Sequence, residues 1–462
     1  MPAVVTILSP PVAPGLDRHQ RPRLRLHLPR ILAMPHSLAP APRPTEPTAG
    51  PFLPERCEVL VVGSGPAGSA CATLLAQAGV DVLLVDQHDF PREKVCGDGL
   101  IPDAHQALAR IGLLDAVMAQ ACHVSHVRCV GPRGGQVDVP GRLAVLPRQQ
   151  LDLLLHRHAG ASGATVRTPV KFEGLIEAPA TPGTSGLTRV VGARLRHAGA
   201  TQELRADWVV LATGAQIQPM VGAGLCTRRT PSGIALRGYV RNSAVVASQR
   251  TMDVVWHRDL RPGYGWIFPA GDATFNIGVG AFFRTERGGR ARAADANLRE
   301  VFDAFTRVYA PARALMDGGE LIGELKGAPL RCTLSGAVSS RPGLLATGEA
   351  IGSTYDFTGE GIGKALETGL LAAEALLRGR SAGSDDAAVR ADYDAALQRL
   401  KPKFTLYERA NGVNRHPWLA ELVIARARRS PRLQRRMTGV LEETSNPGHL
   451  FSLRGIYKLL TE

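Results

Sequence analysis

The sequence predicts an α/β fold in which a discontinuous domain built on a parallel βαβ unit is interleaved with an antiparallel β domain and followed by C-terminal helices. Three observations predict it: a strand-helix-strand pattern at residues 59–86, two β-rich interruptions, and helical periodicity after residue 359. The predicted ranges are 55–120, 147–227 and 336–380 for the first domain, 121–146 and 228–335 for the second, and 381–462 for the helical region.

The composition of the 462-residue chain, 44% hydrophobic and 5% aromatic, is ordinary for an α/β protein. No apolar run approaches the roughly 18 to 20 residues that a membrane-spanning helix needs. The 7 cysteines are odd in number and scattered without a CxxC pair, which is typical of a reducing compartment. We therefore expect a cytoplasmic protein without a structural metal.

Residues 1–54 have a different composition from the rest of the chain. They are rich in Pro, Ala and Arg and show no sustained hydrophobic period. We expect either a disordered tail or an over-extended start with Met34 as the true first residue, and we favour the second. An organelle presequence is left open, whereas a secretory signal lacks its apolar core.

Residues 59–86 carry the pattern of a dinucleotide-binding βαβ unit. The turn between its first strand and its helix reads Gly63-Ser64-Gly65-Pro66-Ala67-Gly68. Gly63 permits the tight turn, Gly65 lets backbone N–H groups approach a pyrophosphate, and Gly68 allows close helix–strand packing. Asp86 ends the second strand, where it can accept a hydrogen bond from a ribose hydroxyl and would repel a 2′-phosphate. This charge argues against NADPH at the site.

The elements that follow alternate between the two predicted domains. We predict helices at 104–119 and 149–159, a hairpin at 123–139, a buried strand at 207–212, a β-rich region at 234–283, a short strand at 344–347 and an amphipathic helix at 359–377. Because antiparallel segments separate the strands expected to be parallel, a simple doubly wound sheet does not account for the pattern.

Four separated motifs point to one family. They are FPREKVCGDGL at 90–100, LPRQQLD at 146–152, YGWIFP at 264–269 with NIGVG at 276–280, and ATGEA at 346–350 with TGEGI at 358–362. Together they resemble the geranylgeranyl reductase family of flavoproteins over roughly residues 57 to 380. The resemblance implies a fold similar to that of the aromatic-ring hydroxylases, FAD as cofactor, and reduction of isoprenoid double bonds by the reduced flavin.

The resemblance also implies roles at matching positions in the first half of the chain. Ala67 and Asp86 would contact the adenosine half of FAD, and Arg148 would help to hold it. Gly97 and Gly99 would line the flavin region.

Further cofactor-binding residues are implied near residue 355. Glu349, which follows Gly348, would reach the ribityl-pyrophosphate part of FAD, although the family usually has the shorter Asp there. After Gly359, the backbone N–H groups of Gly361 and Ile362 would face the flavin pyrimidine edge. A helix N-terminus there would stabilise the negative charge of a reduced flavin.

The electron donor is left open between NAD(P)H and a partner reductase or ferredoxin. Hydroxylase relatives usually carry an Asp-Gly turn after the strand at 207–212, where this chain has Ala212-Thr213-Gly214-Ala215. Its absence weakens the case for direct NADPH use, and no second GxGxxG unit is present for a nicotinamide.

Reducing an alkene requires a hydride at one carbon and a proton at the other. Cys96 is the first candidate proton donor, with the nearby cation Lys94 expected to tune its thiol, and a small filler beside the cofactor is the alternative. Tyr264 is a second candidate. Trp266 and Phe268 would form an apolar wall that orients an isoprenoid, or ordinary core of the second domain.

No metal site is predicted, since His123 and His126 would point to opposite faces of a strand. The net charge of +14 is concentrated towards the C-terminus, where residues 418–440 mix apolar residues with 6 arginines. This segment is interpreted as a solvated helix broken at Pro431, or as peripheral contact with the inner face of an anionic membrane. No nucleic-acid partner is expected.

Two other functions are kept open. One is a flavin monooxygenase acting on a small apolar or aromatic substrate, and the other is a flavin-binding protein without turnover. A halogenase is disfavoured because residues 264–269 lack the WxWxIP pattern.

Overall fold

The first βαβ unit forms as predicted in the computed structural model, which describes residues 53–179, 188–283 and 297–442. The prediction for residues 1–54 lies outside the described residues except for the last two. The helices are α1 Pro66–Gln77, α2 Pro102–Arg110, α3 Leu114–Met118, α4 Arg148–Ala161, α5 Gln218–Gly222, α6 Leu298–Val308, α7 Ala310–Asp317, α8 Ile362–Ala382, α9 Asp386–Ala410, α10 Gly412–Arg415, α11 Trp418–Ala427 and α12 Pro431–Leu441.

Two sheets organise the chain. The strands are β1 Arg56–Val62, β2 Val82–Val85, β3 Gly99–Leu100, β4 Cys122–Val130, β5 Gln136–Val145, β6 Thr165–Arg167, β7 Lys171–Glu177, β8 Val190–His197, β9 Ala200–Leu211, β10 Gly233–Arg241, β11 Met252–Val255, β12 Gly263–Gly271, β13 Thr274–Phe282, β14 Glu320–Leu330, β15 Ser340–Arg341 and β16 Leu344–Ala346.

The first sheet has the order β15-β16-β9-β1-β2-β6, with β8 joining β9 and β7 joining β8. Its centre is parallel, because β1 pairs in that sense with both β2 and β9, and β16 pairs in that sense with β9. Helices α1 and α8 pack against each other on this sheet. The central strands are buried on both faces, with Leu60, Leu83 and Val210 all 0% exposed. Burial on both faces explains why their sequences are continuous apolar runs.

The second sheet has the order β14-β10-β13-β12-β11-β4-β5-β3. It is antiparallel except where β11 runs parallel to β4. The chain enters it at β3 to β5, returns to the first sheet for β6 to β9, and enters it again at β10 to β14. The predicted α/β class with an interleaved antiparallel domain is confirmed.

Glycines account for two differences from the predicted helices. The helix predicted at 104–119 is two helices, α2 and α3, since Gly112 lies between them with a φ of +75°. The helix predicted to start at Gly359 begins instead at Ile362. Gly359 has a φ of +70°, and Gly361 is the N-cap with a φ of −144°, so both lie outside the helix.

The C-terminal helices return to the second sheet. The predicted break at Pro431 is confirmed, as α11 ends at Ala427 and α12 begins at Pro431. α11 packs on β4 and β5, α12 packs on β5, and Glu421 Oε2 accepts a hydrogen bond of 2.9 Å from the Arg133 backbone N–H in the turn between those strands. Among the described helices, none combines the length and apolar composition needed to cross a membrane.

Candidate active site

In the turn after β1, two of the three glycine positions have no room for a side chain. Gly63 has a φ of +108°, and a Cβ there would lie 2.3 Å from the Ala212 carbonyl oxygen. A Cβ on Gly68 would lie 1.8 Å from the Gly63 carbonyl oxygen. Gly65 differs, because its φ is −82° and a Cβ would meet only the end of the Arg92 side chain, at 3.4 Å. Gly65 therefore has room for a side chain, bounded by the end of a flexible arginine.

Helix α1 begins at this turn without a side-chain cap. Gly65 is its N-cap, Pro66 follows, and the first turn contains no acidic residue. The N–H groups at a helix start need partners, and here no side chain of the described residues caps them. Ala67 lies in this first turn. The arrangement is suited to a pyrophosphate.

Asp86 is held beside the same turn. Its Oδ2 accepts a hydrogen bond of 2.9 Å from the Ser64 backbone N–H, and its Oδ1 accepts one of 3.0 Å from the His88 N–H. Ser64 is buried, and its hydroxyl lies 2.9 Å from His156 Nδ1. Ser64 thus positions Asp86, whose carboxylate keeps lone pairs for a ribose hydroxyl.

A buried chain of ion pairs leads from Asp86 towards Cys96. Arg92 lies 4.0 Å from Asp86 and 3.1 Å from Asp152, and Arg148 donates two hydrogen bonds of 2.7 and 2.8 Å to Asp152. Arg92 was not predicted from the sequence. Its position between two acids depends on contacts that only the fold creates.

Gly348 and Glu349 complete the group of residues that we call the cradle. Its other parts are the turn at residues 63–68, Asp86 and the start of α8. Glu349 Oε2 lies 3.5 Å from Lys94 Nζ, and Glu349 Oε1 accepts a 3.4 Å hydrogen bond from the Arg331 N–H. Gly348 has a φ of +68°, and a Cβ there would lie 2.7 Å from the Cβ of Ala67. This contact places Gly348 and Glu349 against the start of α1.

The start of α8 forms the other end of the cradle. Its N-cap Gly361 provides no side chain, and its first turn contains no acidic residue. A Cβ on Gly359 would lie 2.7 Å from Tyr264 Oη, and one on Gly361 would lie 2.7 Å from Thr354 Oγ1. The first hydrogen bond of the helix runs from the Ala365 N–H to the Gly361 carbonyl oxygen, so the backbone N–H groups of residues 362–364 precede it. The placement of Gly361 and Ile362 at a flavin pyrimidine edge stays a prediction.

These residues fit FAD. The two uncapped helix starts and the glycine turn suit its phosphates and pyrimidine, and Asp86 suits its ribose. Within the described residues, several buried polar atoms also lack hydrogen-bond partners. Three of them belong to residues next to the turn at 63–68, the strand at 200–211 and the start of α8: Arg92 Nε, Thr213 Oγ1 and Thr358 Oγ1.

A cavity of about 310 Å³ lies beside the cradle. The loop of Cys96, Gly97 and Gly99 borders it, as does the turn at residues 358–362. Seven aromatic residues line it: Trp256, Tyr264, Trp266, Phe268, Phe282, Phe357 and Tyr407. The lining continues to α11 and α12 through Val423, Ile424, Met437, Val440 and Leu441. The cavity is thus mainly apolar and joins the predicted flavin residues to the C-terminal helices.

Cys96 lines the cavity, but its thiol is tuned differently from the prediction. Lys94 pairs with Glu349, and the cation that acts on the thiol is Arg148. Burial raises the pKa of the Cys96 thiol and outweighs the opposing effect of Arg148. The thiol is therefore neutral near pH 7, and the predicted control by Lys94 is wrong because that side chain is engaged elsewhere.

Tyr264 and Trp266 both have their polar groups engaged. The Tyr264 hydroxyl donates to the Thr358 carbonyl oxygen, and Trp266 Nε1 donates to Asn276 Oδ1 at 2.9 Å. Burial raises the pKa of the Tyr264 phenol well above its usual value. The Tyr264 ring lies 5.7 Å from that of Phe282 and 6.3 Å from that of Trp266. Tyr264 and Trp266 thus belong to the wall of aromatic residues that lines the cavity, which we call the aromatic wall.

Asp98 had no predicted role, although it lies between Gly97 and Gly99 in the FPREKVCGDGL motif at residues 90–100. It is 0% exposed and lines the cavity. Asn276 is likewise 0% exposed and contacts it. The sequence feature that could have identified Asp98 as a functional residue was its charge between two glycines in this loop.

The profile of the FAD binding domain family matches residues 56–283. The menaquinone reductase of Mycolicibacterium smegmatis is 34% identical over 70% of this chain and 77% of its own length. The digeranylgeranylglycerophospholipid reductase of Methanosarcina mazei is 28% identical over 72% and 77%. A geranylgeranyl bacteriochlorophyll reductase-like protein of Thermoplasma acidophilum shares the fold, with a TM-score of 0.66 and 22% identity over 88% of this chain and 96% of that one.

Proposed function

The chain belongs to the geranylgeranyl reductase family of FAD-dependent oxidoreductases, and from this premise we propose that it reduces carbon–carbon double bonds of a prenyl lipid. Reduced FAD supplies a hydride, which carries two electrons, and a proton adds to the second carbon. The chain's part is to hold the cofactor, to align an apolar chain beside it, to exclude water and to provide the proton. The electrons are replaced from NAD(P)H or from a partner reductase.

The observation that carries this proposal is the shape and lining of the cavity. It begins at the residues that fit the flavin and extends between aromatic side chains to α11 and α12. A long apolar chain would lose its contact with water along this length, which favours binding. The absence of a side chain at Gly97 lets its loop pack closely on the wall of the cavity, since a Cβ there would lie 3.2 Å from the Phe268 ring.

The test uses the purified protein with its own cofactor. We expect heat to release FAD, about one per chain. After anaerobic photoreduction, addition of geranylgeranyl diphosphate or a prenylated quinone should reoxidise the flavin without oxygen and give a product heavier by two hydrogens for each bond reduced, as measured by mass spectrometry.

Three results would contradict the proposal, each in a different way. Recovery of FMN or of no flavin removes the cofactor assignment. Substrate-dependent oxygen uptake with an oxygenated product identifies a monooxygenase. A flavin that no donor reduces identifies a binding protein without turnover.

We further propose that α11 and α12 rest on an anionic lipid surface. Their inner faces line the cavity, whereas Trp418 on α11 is 62% exposed. Arg428, Arg429 and Arg435 are also exposed. An exposed aromatic ring and several exposed cations on these two helices match the composition of proteins that bind the interface of an anionic bilayer, where the prenyl substrate would be found.

Replacing Arg428, Arg429 and Arg435 together by Gln should weaken binding to phosphatidylserine-containing vesicles by about 100-fold, since each charge near the surface contributes about 1 kcal/mol. Vesicle sedimentation measures it. The matched control replaces Arg157, Arg205 and Arg250, which are exposed elsewhere. Equal binding by both triple variants and the parent would refute the proposal that α11 and α12 contact the membrane.

A further inference from the structure

Asp98 is the most unusual acidic residue on the cavity wall. It is fully buried, and its φ of +63° is rarely adopted by a residue with a side chain. Its Oδ2 accepts hydrogen bonds from the Tyr239 hydroxyl and, at 2.7 Å, from Asn276 Nδ2. Within the described residues, its Oδ1 has no hydrogen-bond partner. One oxygen of this buried carboxyl is therefore uncommitted, and the residue that carries it borders the cavity.

Asn276 fixes the loop that carries Asp98. Asn276 Nδ2 also donates to the Cys96 carbonyl oxygen at 2.8 Å, and Asn276 Oδ1 accepts from Trp266 Nε1. Asn276 thus joins the aromatic wall, the loop and the carboxyl. Asn276 therefore fixes the position of the carboxyl relative to Trp266, a residue of the wall that would orient the substrate.

Charged and titratable groups face Asp98 from several elements. Arg237 and Tyr239 come from β10, Arg148 comes from α4, and Cys96 lies in the same loop. Arg237 is 2% exposed, donates to the Lys94 carbonyl oxygen at 3.0 Å and lies 4.2 Å from the centre of the Tyr239 ring. Burial raises the pKa of Asp98 to about 6, against the lowering effects of Tyr239, Arg237, Asn276 and Arg148.

We propose that Asp98 is the general acid that protonates the second carbon of the alkene. This assignment rests on the proposed prenyl reduction. As the hydride forms one new C–H bond, the Asp98 O–H bond breaks and its proton forms the other, so that the alkene gains two hydrogens and the flavin loses two electrons. Tyr239 and Asn276 stabilise the carboxylate that remains, and solvent returns its proton.

Asp98 suits this role better than the two donors predicted from the sequence. The Tyr239 and Asn276 hydrogen bonds and the Arg237 charge already surround the carboxylate that donation would create. Tyr264 has its hydrogen engaged with Thr358. Cys96 is the remaining rival, and the two differ in the pH at which they lose their proton.

The test compares Asp98→Asn with Cys96→Ser and with Asp253→Asn. Asparagine keeps an oxygen that can accept from both Tyr239 and Asn276. Asp253 is a matched control, because it is also 0% exposed and accepts a 2.6 Å hydrogen bond from a tyrosine, Tyr309, but does not line the cavity. The rate of product formation in a single turnover is measured from about pH 5 to pH 9. The rate of flavin reduction is measured over the same range.

A general acid is active when protonated, so turnover of the parent should fall about tenfold per pH unit above the Asp98 pKa of about 6. Asp98→Asn should lower turnover by roughly 10²- to 10⁴-fold and remove this pH dependence, while flavin reduction stays unchanged. Cys96→Ser and Asp253→Asn should keep the pH dependence.

A second measurement does not depend on turnover. Infrared difference spectra of the oxidised holoprotein should show a carboxylic acid band that disappears as the pH rises through about 6. The component that titrates near 6 should be missing in Asp98→Asn and present in Asp253→Asn, while the component of Asp356, whose pKa burial raises to about 7, should remain in both variants.

Unchanged turnover and pH dependence in Asp98→Asn would overturn the assignment, and loss of the pH dependence in Cys96→Ser would give the role to Cys96. A parent that reduces no prenyl bond overturns the proposed function and this role with it. Parent activity with an unaffected Asp98→Asn variant overturns only the role of Asp98.

Discussion

Gly65→Val should leave the chain folded and abolish FAD binding. The φ of Gly65, −82°, suits any residue, and the only atom near a Cβ is the end of the Arg92 side chain. Valine would therefore disturb the protein little but would occupy the space in which the pyrophosphate approaches the start of α1. The positive φ angle that favours glycine in this motif occurs at Gly63 and not at Gly65.

Flavin absorbance of the purified variant, set against its circular dichroism, measures cofactor loss and folding separately. Gly222→Val is the matched control, as Gly222 is exposed at the end of α5 with open space around it. A folded Gly65→Val protein with a full flavin spectrum would show that the cofactor binds elsewhere.

Val423→Trp should block long prenyl chains while sparing FAD. Val423 lies on α11 and lines the cavity, so the indole would fill space that a long chain needs. A hydrophobic pocket that loses part of its volume discriminates by about 10- to 200-fold. We expect kcat/KM for a geranylgeranyl acceptor to fall by that amount, with a smaller fall for a shorter geranyl acceptor.

The control for this prediction lies two residues away on the same helix. Ala425 is exposed, so Ala425→Trp adds the same side chain outside the cavity. Steady-state kinetics with acceptors of different length measure the effect. Equal losses for short and long acceptors, or none for Val423→Trp, would show that the chain does not run past α11.

Local patterns made the βαβ unit and the interleaving of two sheets predictable. The apolar runs of β1 and β2, the glycine turn and Asp86 are close in sequence and interact with one another in the fold. The boundaries of α2 and α8 were less predictable, because the φ angles of Gly112 and Gly359 decide them.

The polar cluster around Asp98 could not be predicted in the same way. It joins the loop before β3 to residues on β10 and β13, which come together only through the strand order of the second sheet. The pKa of Cys96 also depended on burial, which is a property of the tertiary structure. A sequence pattern identified the loop but not the environment of its side chains.

The repeated crossing of the chain between its two sheets has a consequence for folding. A piece ending at residue 283 would lack β14, β15 and β16, so it would leave an open edge on β10 of one sheet and on β9 of the other. Neither sheet can be completed before the chain has made nearly all of its long-range pairings. Such a topology, with many pairings between residues distant in sequence, favours slow folding and disfavours stepwise maturation of separable modules.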